Sequence, residues 1–591
     1  MKNRISLILK TCCLFLLFCS VAYSQEKGGQ VSESIRLNQL GFYPNAPKFA
    51  IITSPNVSTY SLLTSDRSKT VLTAFKLKES ADTALNGNKT FIADFSFFKS
   101  PGDYVLYVDG LGYSYPFSIK DSVNNGLAKA TIKAFYFQRV STALPEEFAG
   151  KWHRTTGHPD NKVLIHPSAA TTTRPAGTII NASRGWYDAG DYNKYIVNSG
   201  ITTGTLLSIY EDFPDYVKDL NLSIPESTNK APDLLDEILW NVRWMLTMQD
   251  PEDGGVYHKL TNASFDGMVM PGVTKDPRYA VQKGTAATLD FAAVLAQASR
   301  VFKEYNVEFP GLADSCYKAS LAAWNWAQKN PNVAYNQDEM NTKYEPKVTT
   351  GAYGDRNFTD EFIWAASELS VTTGDGQYLK MLNIFPDNSM PLPTWSNVRL
   401  LGYYTLARNE KLLDSIAPEY FTMLKNRIIN MADSYIAGVS GSAYQTVMGK
   451  SRRDFNWGSN SNAANQGIAL IQAYRLTGYK EYLRYALANL DYLLGRNATG
   501  YSYVTGLGSK TPMFPHHRPS VADGVKEPIS GMLVGGPNPG EQDGVALPSS
   551  VPSEAYADVS ESYATNEIAI NWNAPIAYLS VALEALQDEF Y

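Results

Sequence analysis

The spacing of apolar residues changes near residue 121, and this change constrains the fold more than any other feature of the chain. Before it, short runs of β-branched and aromatic residues are separated by turn residues, which is typical of strands. After it, apolar residues recur at positions i, i+3 or i+4, and i+7, which is the period of an amphipathic helix. The sequence therefore predicts a multidomain protein in which a β domain, residues 25–120, precedes an all-α domain, residues 121–591.

The N-terminal region has the pattern of a β-sandwich. Three of its segments are strand-like: Lys48–Ile52, Thr90–Asp94 and Asp103–Val108. Turn signals such as Asn86-Gly87-Asn88 separate them. Several short strands at this spacing predict a sandwich of the immunoglobulin type.

The C-terminal region has the pattern of many helices joined by long polar loops. The segments with helical spacing are Asn125–Ala143, Ala231–Gln249, Gly284–Tyr305, Asp314–Lys329, Asp360–Thr373, Leu412–Tyr435, Asn462–Leu476, Lys480–Leu494 and Asn566–Leu586. The longest loop between them is Thr499–Ser562, and loops of this length in a compact domain are usually functional.

The first 24 residues have the features of a secretory signal peptide. Basic residues at the start are followed by the apolar run Thr11–Ala22, which is too short to span a membrane. Small residues then precede Gln25, so cleavage is expected after Ser24. Lipid attachment at Cys19 is the alternative, but the bulky Phe18 before it disfavours that modification. We expect an exported protein, periplasmic or secreted, with no membrane attachment after cleavage.

Composition excludes some partners and suggests another. A formal net charge of −6 offers no electrostatic attraction to nucleic acid. Aromatic residues make up 12% of the chain, and Tyr outnumbers Phe by 37 to 25. Tyr suits half-wet surfaces where a ring packs and a hydroxyl bonds, as in a sugar-binding groove, although a large helical core is the alternative explanation. We expect a monomer.

Asp188 and Asp191 form the most distinctive local pair, within the segment Gly185–Tyr192 (GWYDAGDY). If this segment is turn-like, both carboxylates can point at one water molecule. Their mutual repulsion would then keep at least one of them poised as a base. Taken alone, such spacing is more often an Asx turn or a helix cap, so that alternative stays open.

A second group of polar residues, near the C-terminus, surrounds Glu567. It consists of Tyr556, Asp558, Tyr563, Glu567, Asn571 and Asn573. Glu567 is expected at the start of an apolar helix, where its apolar neighbours would raise its pKa and make it a general acid. The helix N-terminus would favour the charged form instead. Two carboxylate sites far apart in sequence are what glycoside hydrolysis requires.

The segment Pro515–Pro519 (PHHRP) adds a third candidate group. Its two His residues and its Arg can bind the hydroxyl groups of a sugar, whereas adjacent His residues in a rigid loop make a weak metal site. None of the motifs typical of nucleotide-binding, zinc-protease or serine-hydrolase sites appears in its required context.

Three segments together strongly resemble the active-site segments of glycoside hydrolase family 9. They are Gly185–Asp191 (GWYDAGD), Ser502–Arg518 (SYVTGLGSKTPMFPHHR) and Tyr556–Ala574 (YADVSESYATNEIAINWNA). The segments Asn38–Phe42 and Ser100–Tyr104 resemble the immunoglobulin-like domain that precedes the catalytic domain in one branch of that family. The resemblance covers essentially the whole chain after residue 24.

The resemblance implies an (α/α)6 barrel with an open cleft, and inverting endo-hydrolysis of β-1,4-glucans without a cofactor. Asp191 matches the general base, Asp188 would help to hold the attacking water, and Glu567 matches the proton donor. His516 and Arg518 would contact the sugar beside the scissile bond.

Several other residues have less specific expectations. Asp558 matches a further acidic position of the family's active site. Candidate sugar-binding rings, each with core packing as the alternative, are Trp186, Tyr187, Trp457, Tyr501 and Tyr556.

Two metal sites known in the family give different expectations here. Some relatives bind zinc after the first barrel helix, but Val140 follows Gln138-Arg139 here and Cys316 is the only Cys beyond the signal peptide, so we expect no zinc. Many relatives bind calcium near a pair that matches Asp360-Glu361, with Asp355 nearby. These oxygen ligands suit calcium, although acidic residues at a helix start also suit the helix dipole.

The substrate is expected to be a soluble β-1,4-glucan, most specifically xyloglucan. The chain ends at Tyr591, directly after the last predicted helix, and no cellulose-binding module is recognised. This favours a hydrated glucan over crystalline cellulose. Cellulose or mixed-linkage glucan, an exo-acting glucosaminidase activity and a non-catalytic glycan-binding role remain the alternatives.

Overall fold

The computed structural model describes residues 29–590, and the predicted signal peptide lies outside this range. A β-sandwich comes first and a large helical domain follows it. The last sandwich strand ends at Ile119 and the first helix begins at Asn125. The predicted fold class, a β-sandwich followed by an all-α barrel, is therefore confirmed.

The N-terminal domain consists of ten strands within the described residues. They are β1 (Ile35–Arg36), β2 (Gly41–Phe42), β3 (Phe49–Ile52), β4 (Thr59–Thr64), β5 (Thr70–Lys76), β6 (Lys78–Glu79), β7 (Phe91–Asp94), β8 (Gly102–Val108), β9 (Gly112–Tyr113) and β10 (Phe117–Ile119). One sheet has the order β1-β3-β7-β6 and the other has the order β2-β10-β8-β4-β5, with β9 paired to β8. Edge-to-face contacts of Phe42 with Phe95 and Phe117 fill the space between the sheets.

The C-terminal domain is built from helices. Those in the described range are α1 (Asn125–Phe137), α2 (Glu146–Ala149), α3 (Ile196–Asp212), α4 (Pro214–Lys218), α5 (Asp233–Thr247), α6 (Thr285–Phe302), α7 (Leu312–Lys329), α8 (Gln337–Lys343), α9 (Thr359–Thr373), α10 (Gln377–Lys380), α11 (Arg399–Arg408), α12 (Glu410–Ile416), α13 (Pro418–Ile436), α14 (Ser459–Thr477), α15 (Lys480–Leu493), α16 (Arg518–Ala522), α17 (Tyr563–Asn566) and α18 (Ile570–Ala585).

Six of these helices form an inner ring: α3, α6, α9, α11, α14 and α18. Helix α3 packs on α6 and α18, α6 on α9, α9 on α11, and α14 on α18. An outer layer, α1, α5, α7, α10, α13 and α15, covers the ring. Close packing needs small residues at some crossings, since a Cβ on Gly204 of α3 would lie 2.5 Å from the Trp364 ring of α9. No helix in residues 29–590 is long and apolar enough to cross a membrane.

A short sheet of five strands lies in the helical domain and leads into the cleft. Its strands are β11 (Val163–Ile165), β12 (Ile179–Ile180), β13 (Lys194–Tyr195), β14 (Lys259–Asn262) and β15 (Arg278–Ala280), in the order β12-β11-β15-β14-β13. Strand β13 begins three residues after Asp191 and runs directly into α3. The sheet therefore fixes the segment that carries Asp188 and Asp191.

The two domains are joined through the segment before β2. Gln39 is buried, and its Oε1 accepts hydrogen bonds from the main-chain N–H groups of Ser509 and Lys510, at 2.9 and 2.8 Å. Its Nε2 donates to Gly500 O at 2.8 Å. Asn38 Nδ2 donates to Asp491 Oδ1 at 2.8 Å. The β domain thus holds the start of the long loop that continues into the His516 segment.

Replacing Gln39 with Ala should destabilise the protein by about 1–3 kcal/mol, because two donors and one acceptor lose their partner at the domain interface. The measurement is thermal and urea unfolding of the full chain. Asn86→Ala is the matched control, since its amide makes an exposed interdomain bond to Glu554 Oε1 at 2.8 Å. Equal stability losses in the two variants would show that the Gln39 contact does not clamp the loop.

Candidate active site

Three distant segments of the chain meet at Gly190. Its N–H donates to Glu567 Oε1 at 3.2 Å, and its carbonyl accepts from Arg518 N at 3.1 Å and Arg518 Nη1 at 2.8 Å. A Cβ at this position would lie only 2.1 Å from His516 O. Glycine is therefore required here for steric reasons, and it brings the three predicted segments together.

An open cleft of about 830 Å³ runs over this junction. The polar and charged side chains in its wall include Asp191, Asn571, His516, Arg518 and Glu567. The aromatic side chains in its wall are Tyr195, Phe265, Tyr353, Trp395, Trp457, Tyr563 and Trp572. A long groove with aromatic walls and carboxylates at its centre suits a sugar chain.

Asp191 is held by donors that converge on one of its oxygens. Asn193 Nδ2 donates to Oδ2 at 2.5 Å, and the hydroxyl of Tyr195 donates to the same oxygen at 3.2 Å. Asp191 is only 6% exposed, yet it lines the cleft. This arrangement leaves Oδ1 as the oxygen that can receive a proton from a water molecule.

Glu567 lies across the cleft junction in an extended segment. The sequence placed it at the start of a helix, but α17 ends at Asn566 and α18 begins at Ile570. The extended conformation follows from a short parallel β-bridge between Glu567 and His516. Burial and the nearby carboxylates of Asp191 and Asp188 raise the pKa of Glu567 well above its usual value, against the opposing effects of the Gly190 N–H and Arg518. A carboxyl that keeps its proton at neutral pH can act as a general acid.

Asp188 lies behind Asp191 and is almost completely buried. Asn198 Nδ2 donates to both of its oxygens at 3.0 Å, and the hydroxyl of Tyr353 donates to Oδ2 at 3.1 Å. Burial and the charge of Asp191 raise the pKa of Asp188 well above its usual value.

His516 and Arg518 form part of the cleft wall beside Glu567. His516 Nδ1 lies 2.6 Å from Ser560 O, which makes Nδ1 the protonated nitrogen and leaves Nε2 for the cleft. Burial lowers the pKa of His516, so its ring is neutral in the ordinary working range. Arg518 Nε donates to Asp266 O at 2.9 Å, which fixes the guanidinium.

The structure places Asp558 behind the His516 segment. Its Oδ2 accepts from Met513 N at 2.8 Å, and its Oδ1 accepts from Phe514 N at 3.0 Å and Asn566 Nδ2 at 3.1 Å. Both oxygens are thus used to hold the loop in place. This geometry favours a supporting role for Asp558.

Of the five candidate sugar-binding rings, only Trp457 is in the cleft wall, and the other four pack behind it. Trp457 is 43% exposed and lines the cleft, where it packs near Tyr563 with 5.6 Å between ring centroids. Trp186 is instead fully buried, and its Nε1 donates to Glu237 Oε1 at 2.8 Å. Tyr187 is also in the core, against Tyr192. For these two residues, core packing replaces the expected contact with sugar.

Tyr501 and Tyr556 also pack behind the cleft wall. Their rings meet edge to face at 5.1 Å, and the hydroxyl of Tyr556 donates to Asn566 Oδ1 at 2.6 Å. Tyr501 is half-buried, and the centre of its ring lies 4.6 Å from Lys510 Nζ. Their observed contacts support the loop, and neither ring is part of the cleft wall, in agreement with the packing alternative.

The rings of Phe265, Tyr353 and Trp395 also line the cleft, and they were not among the candidates identified from the sequence. Each lies in an irregular segment without helical or strand periodicity. Tyr353 has a positive φ of 48° and stacks edge to face on both Tyr195 and Trp395. The sequence signal for Tyr353 is its place in the long irregular segment 344–358 between α8 and α9, because long loops in compact domains are often functional.

The candidate calcium ligands are close to a fourth carboxylate, Asp290 of α6. Burial and the charges of Asp360, Asp290 and Asp355 raise the pKa of Glu361 well above its usual value. Both carboxylate oxygens of Glu361 and of Asp290 are buried without a hydrogen-bond partner. Within the described range, no group of three or more His, Cys, Asp or Glu side chains has an arrangement that holds a metal ion.

Comparisons with known proteins agree with this geometry. The model for glycosyl hydrolase family 9 matches residues 125–580, and the model for the cellulase N-terminal Ig-like domain matches residues 30–113. A xyloglucan-specific endo-β-1,4-glucanase of Bacteroides ovatus is 47% identical over 94% of both chains. Endoglucanase D of Acetivibrio thermocellus is 34% identical over 93% of this chain and 83% of its own length.

Solved structures show the same architecture. A Bacteroides ovatus protein named GH9 superposes with a TM-score of 0.89 at 46% identity, over 94% of this chain and 99% of its own. An enzyme named AaCel9A, in complex with a cellobiose-like isofagomine, superposes with a TM-score of 0.82 at 30% identity, over 93% and 99%.

Replacing Gly190 with Ala should abolish hydrolysis, because the added methyl group collides with the backbone of His516 and separates the three segments. The measurement is kcat on a soluble glucan, with circular dichroism to verify folding. Gly267→Ala is the matched control, since Gly267 is in the loop beside Arg518 and an added Cβ meets nothing within 4 Å. A Gly190→Ala enzyme with wild-type kcat would contradict the steric account.

Proposed function

The chain belongs to glycosyl hydrolase family 9 and is a glycoside hydrolase of β-1,4-glucans, and we propose that it cuts xyloglucan internally with inversion of configuration. The chemistry needs no cofactor. One observation carries the substrate proposal, namely 47% identity over 94% of both chains with a xyloglucan-specific endo-β-1,4-glucanase.

In this proposal Asp191 is the general base. Its Oδ2 is committed to Asn193 and Tyr195, so Oδ1 takes the proton of the attacking water. Asp188 stands behind it, held by Asn198 and Tyr353, and helps to hold the attacking water. An inverting site leaves about 6.5–9.5 Å between acid and base for this water.

Glu567 is the proton donor to the leaving oxygen. Burial and two neighbouring carboxylates raise its pKa, so it is still protonated at a pH where an ordinary carboxyl is ionised. The N–H of Gly190 donates to Oε1, which orients the carboxyl. The resulting pair combines one protonated and one ionised carboxyl, as glycoside hydrolysis requires.

The cleft walls supply the binding of the glucan chain. Trp457 presents an exposed ring on one wall, and Phe265 is 46% exposed beside the guanidinium of Arg518, 5.7 Å away. Sugar rings stack on such aromatic faces, while His516 Nε2 and Arg518 contact hydroxyl groups next to the scissile bond. The open cleft of about 830 Å³ accommodates a polymer that passes through it.

A structural calcium ion is part of the proposal: Asp355, Asp360 and Glu361 would hold it, and their side chains would have to turn toward it, since in the described residues they do not converge on a metal geometry. The support is the pair of unpartnered, buried oxygens on Glu361 and the repulsion among the neighbouring carboxylates, which a divalent cation relieves. The ion would stabilise the start of α9 and would take no part in the chemistry.

A chelator should therefore lower the melting temperature of the wild-type protein, and added calcium should restore it. Differential scanning fluorimetry with and without EGTA measures the shift. The Glu361→Gln variant should lose this calcium dependence, because it removes one ligand charge. A melting temperature that is indifferent to EGTA and calcium would reject the ion while leaving the hydrolase proposal intact.

Specific activity on xyloglucan should exceed that on carboxymethylcellulose, mixed-linkage glucan and chitosan. Because the cut is internal, viscosity should fall before many reducing ends appear. NMR of the first products should show the inverted anomer, because water enters opposite the departing oxygen. Faster hydrolysis of carboxymethylcellulose would reject the substrate, and retained configuration would reject the mechanism.

A further inference from the structure

Lys259, in strand β14, is a completely buried cation near Asp191. Its Nζ donates to Gln337 Oε1 at 2.7 Å, Thr350 Oγ1 at 3.0 Å and Gly351 O at 2.7 Å. Three acceptors require three hydrogens, which only the ammonium form carries. All three acceptors are neutral groups, so none of the hydrogen bonds of Lys259 Nζ is made to a carboxylate.

The charge that compensates Lys259 is that of Asp191. Burial lowers the pKa of Lys259 well below its usual value, and the negative charge of Asp191 opposes this effect. The three acceptors around Nζ nevertheless favour the ammonium form, because a neutral amine has only two hydrogens to donate. The Nζ atom also lies 5.5 Å from the centre of the Tyr195 ring, whose hydroxyl donates to Asp191 Oδ2. A buried ammonium and a buried carboxylate thus stabilise each other across intervening polar groups.

A chain of hydrogen bonds joins the two charges. Thr350 Oγ1, which accepts from Lys259, lies 2.6 Å from Thr261 Oγ1. The Thr261 hydroxyl donates to Asn193 Oδ1 at 3.0 Å and is also 2.8 Å from Asn262 O. Asn193 Nδ2 then donates to Asp191 Oδ2 at 2.5 Å.

The direction of this chain is set by its ends. An ammonium only donates and a carboxylate only accepts, so Thr350 Oγ1 accepts from Lys259 and the Asn193 amide directs its Nδ2 to Asp191. The chain is complete when the Thr350 hydroxyl donates to Thr261 and the Thr261 hydroxyl donates to Asn193 Oδ1 rather than to Asn262 O. Such a chain is polarised along its length, which strengthens the last bond to Oδ2. Lys259, Thr350, Thr261 and Asn193 are buried, and only the Asp191 end of the chain borders the cleft.

We propose that Lys259 is a positioning residue for catalysis, which acts through Thr350, Thr261 and Asn193 to keep Asp191 ionised and oriented. The inference rests on the proposed function, in which Asp191 is the base. Lys259 does not touch the sugar. Its role is to commit Oδ2 to the chain, so that Oδ1 faces the water.

The other groups that face Asp191 make this support necessary. Asp188 and Glu567 are carboxyl groups whose own pKa values are raised, first by burial and then by the charge of Asp191. Arg518 is positive but donates to Gly190 O and Asp266 O. His516, Tyr195 and Tyr353 are neutral in the working range. Lys259, in strand β14 of the five-stranded sheet, is therefore a buried cation whose charge favours the ionised form of Asp191.

The test is the pH dependence of kcat and kcat/KM on xyloglucan for Lys259→Met. Loss of the positive charge favours protonated Asp191, so the acidic limb of both profiles should move to higher pH by about one unit. At the optimum, kcat should fall, while KM should stay within about twofold because no sugar contact is lost.

Lys48→Met is the matched control. Lys48 is a completely buried lysine of the β domain whose Nζ donates to the main-chain oxygens of Tyr43, Pro44 and Ala46. Its replacement should lower the melting temperature and leave the acidic limb in place. This separates the loss of a buried ammonium from an effect on the base.

Thr350→Val provides a second test if Lys259→Met fails to fold, since it breaks the chain and leaves the lysine charge. The acidic limb should move in the same direction by a smaller amount, and Thr350→Ser should restore it. Wild-type profiles in the Lys259 and Thr350 variants would overturn the proposal. Asp191→Ala is assayed alongside, because full activity there would reject the base assignment itself, whereas an inactive Asp191→Ala with unshifted profiles would reject only Lys259.

Discussion

The site depends on the close approach of three chain segments at Gly190. With no side chain there, the carbonyl of His516 can come within the space that a Cβ would occupy, and Glu567 reaches the Gly190 N–H. The two carboxylates that the chemistry needs are brought together by this contact, although they lie 376 positions apart in the chain. The same approach buries them, and burial raises the pKa of Glu567.

The inner ring of helices holds this costly arrangement in place. Asn198 of α3 donates to Asp188, and Ile570 N, at the start of α18, donates to Asp188 O at 2.8 Å. Helices α3 and α18 pack on each other, so both anchors belong to one rigid unit. Buried like charges destabilise the folded state, and a large helical core offsets that cost, as expected where stability is exchanged for activity.

Periodicity predicted most of the long helices, including the inner helices α6, α9, α14 and α18, and missed the inner helices α3 and α11. The expected span 480–494 is almost the observed α15, Lys480–Leu493. Helix α3 was missed because Asn198, Ser199 and Thr202 interrupt its apolar pattern, yet all three are buried inside the ring. At the site, motif resemblance located Asp191 and Glu567, which the fold brings to one cleft. It did not identify Tyr353 or Lys259, because their positions depend on tertiary contacts that no local pattern contains.

The central claim is that Asp191 and Glu567 divide the chemistry between a base and an acid. The most direct test compares Asp191→Ala and Glu567→Ala on xyloglucan and on an aryl glycoside whose leaving group needs no proton. Glu567→Ala should be severely impaired on xyloglucan and much less impaired on the aryl glycoside, because only the first reaction needs the acid. Asp191→Ala should be inactive on both, since each reaction needs an activated water. Equal recovery of both variants on the aryl glycoside would contradict the assignment.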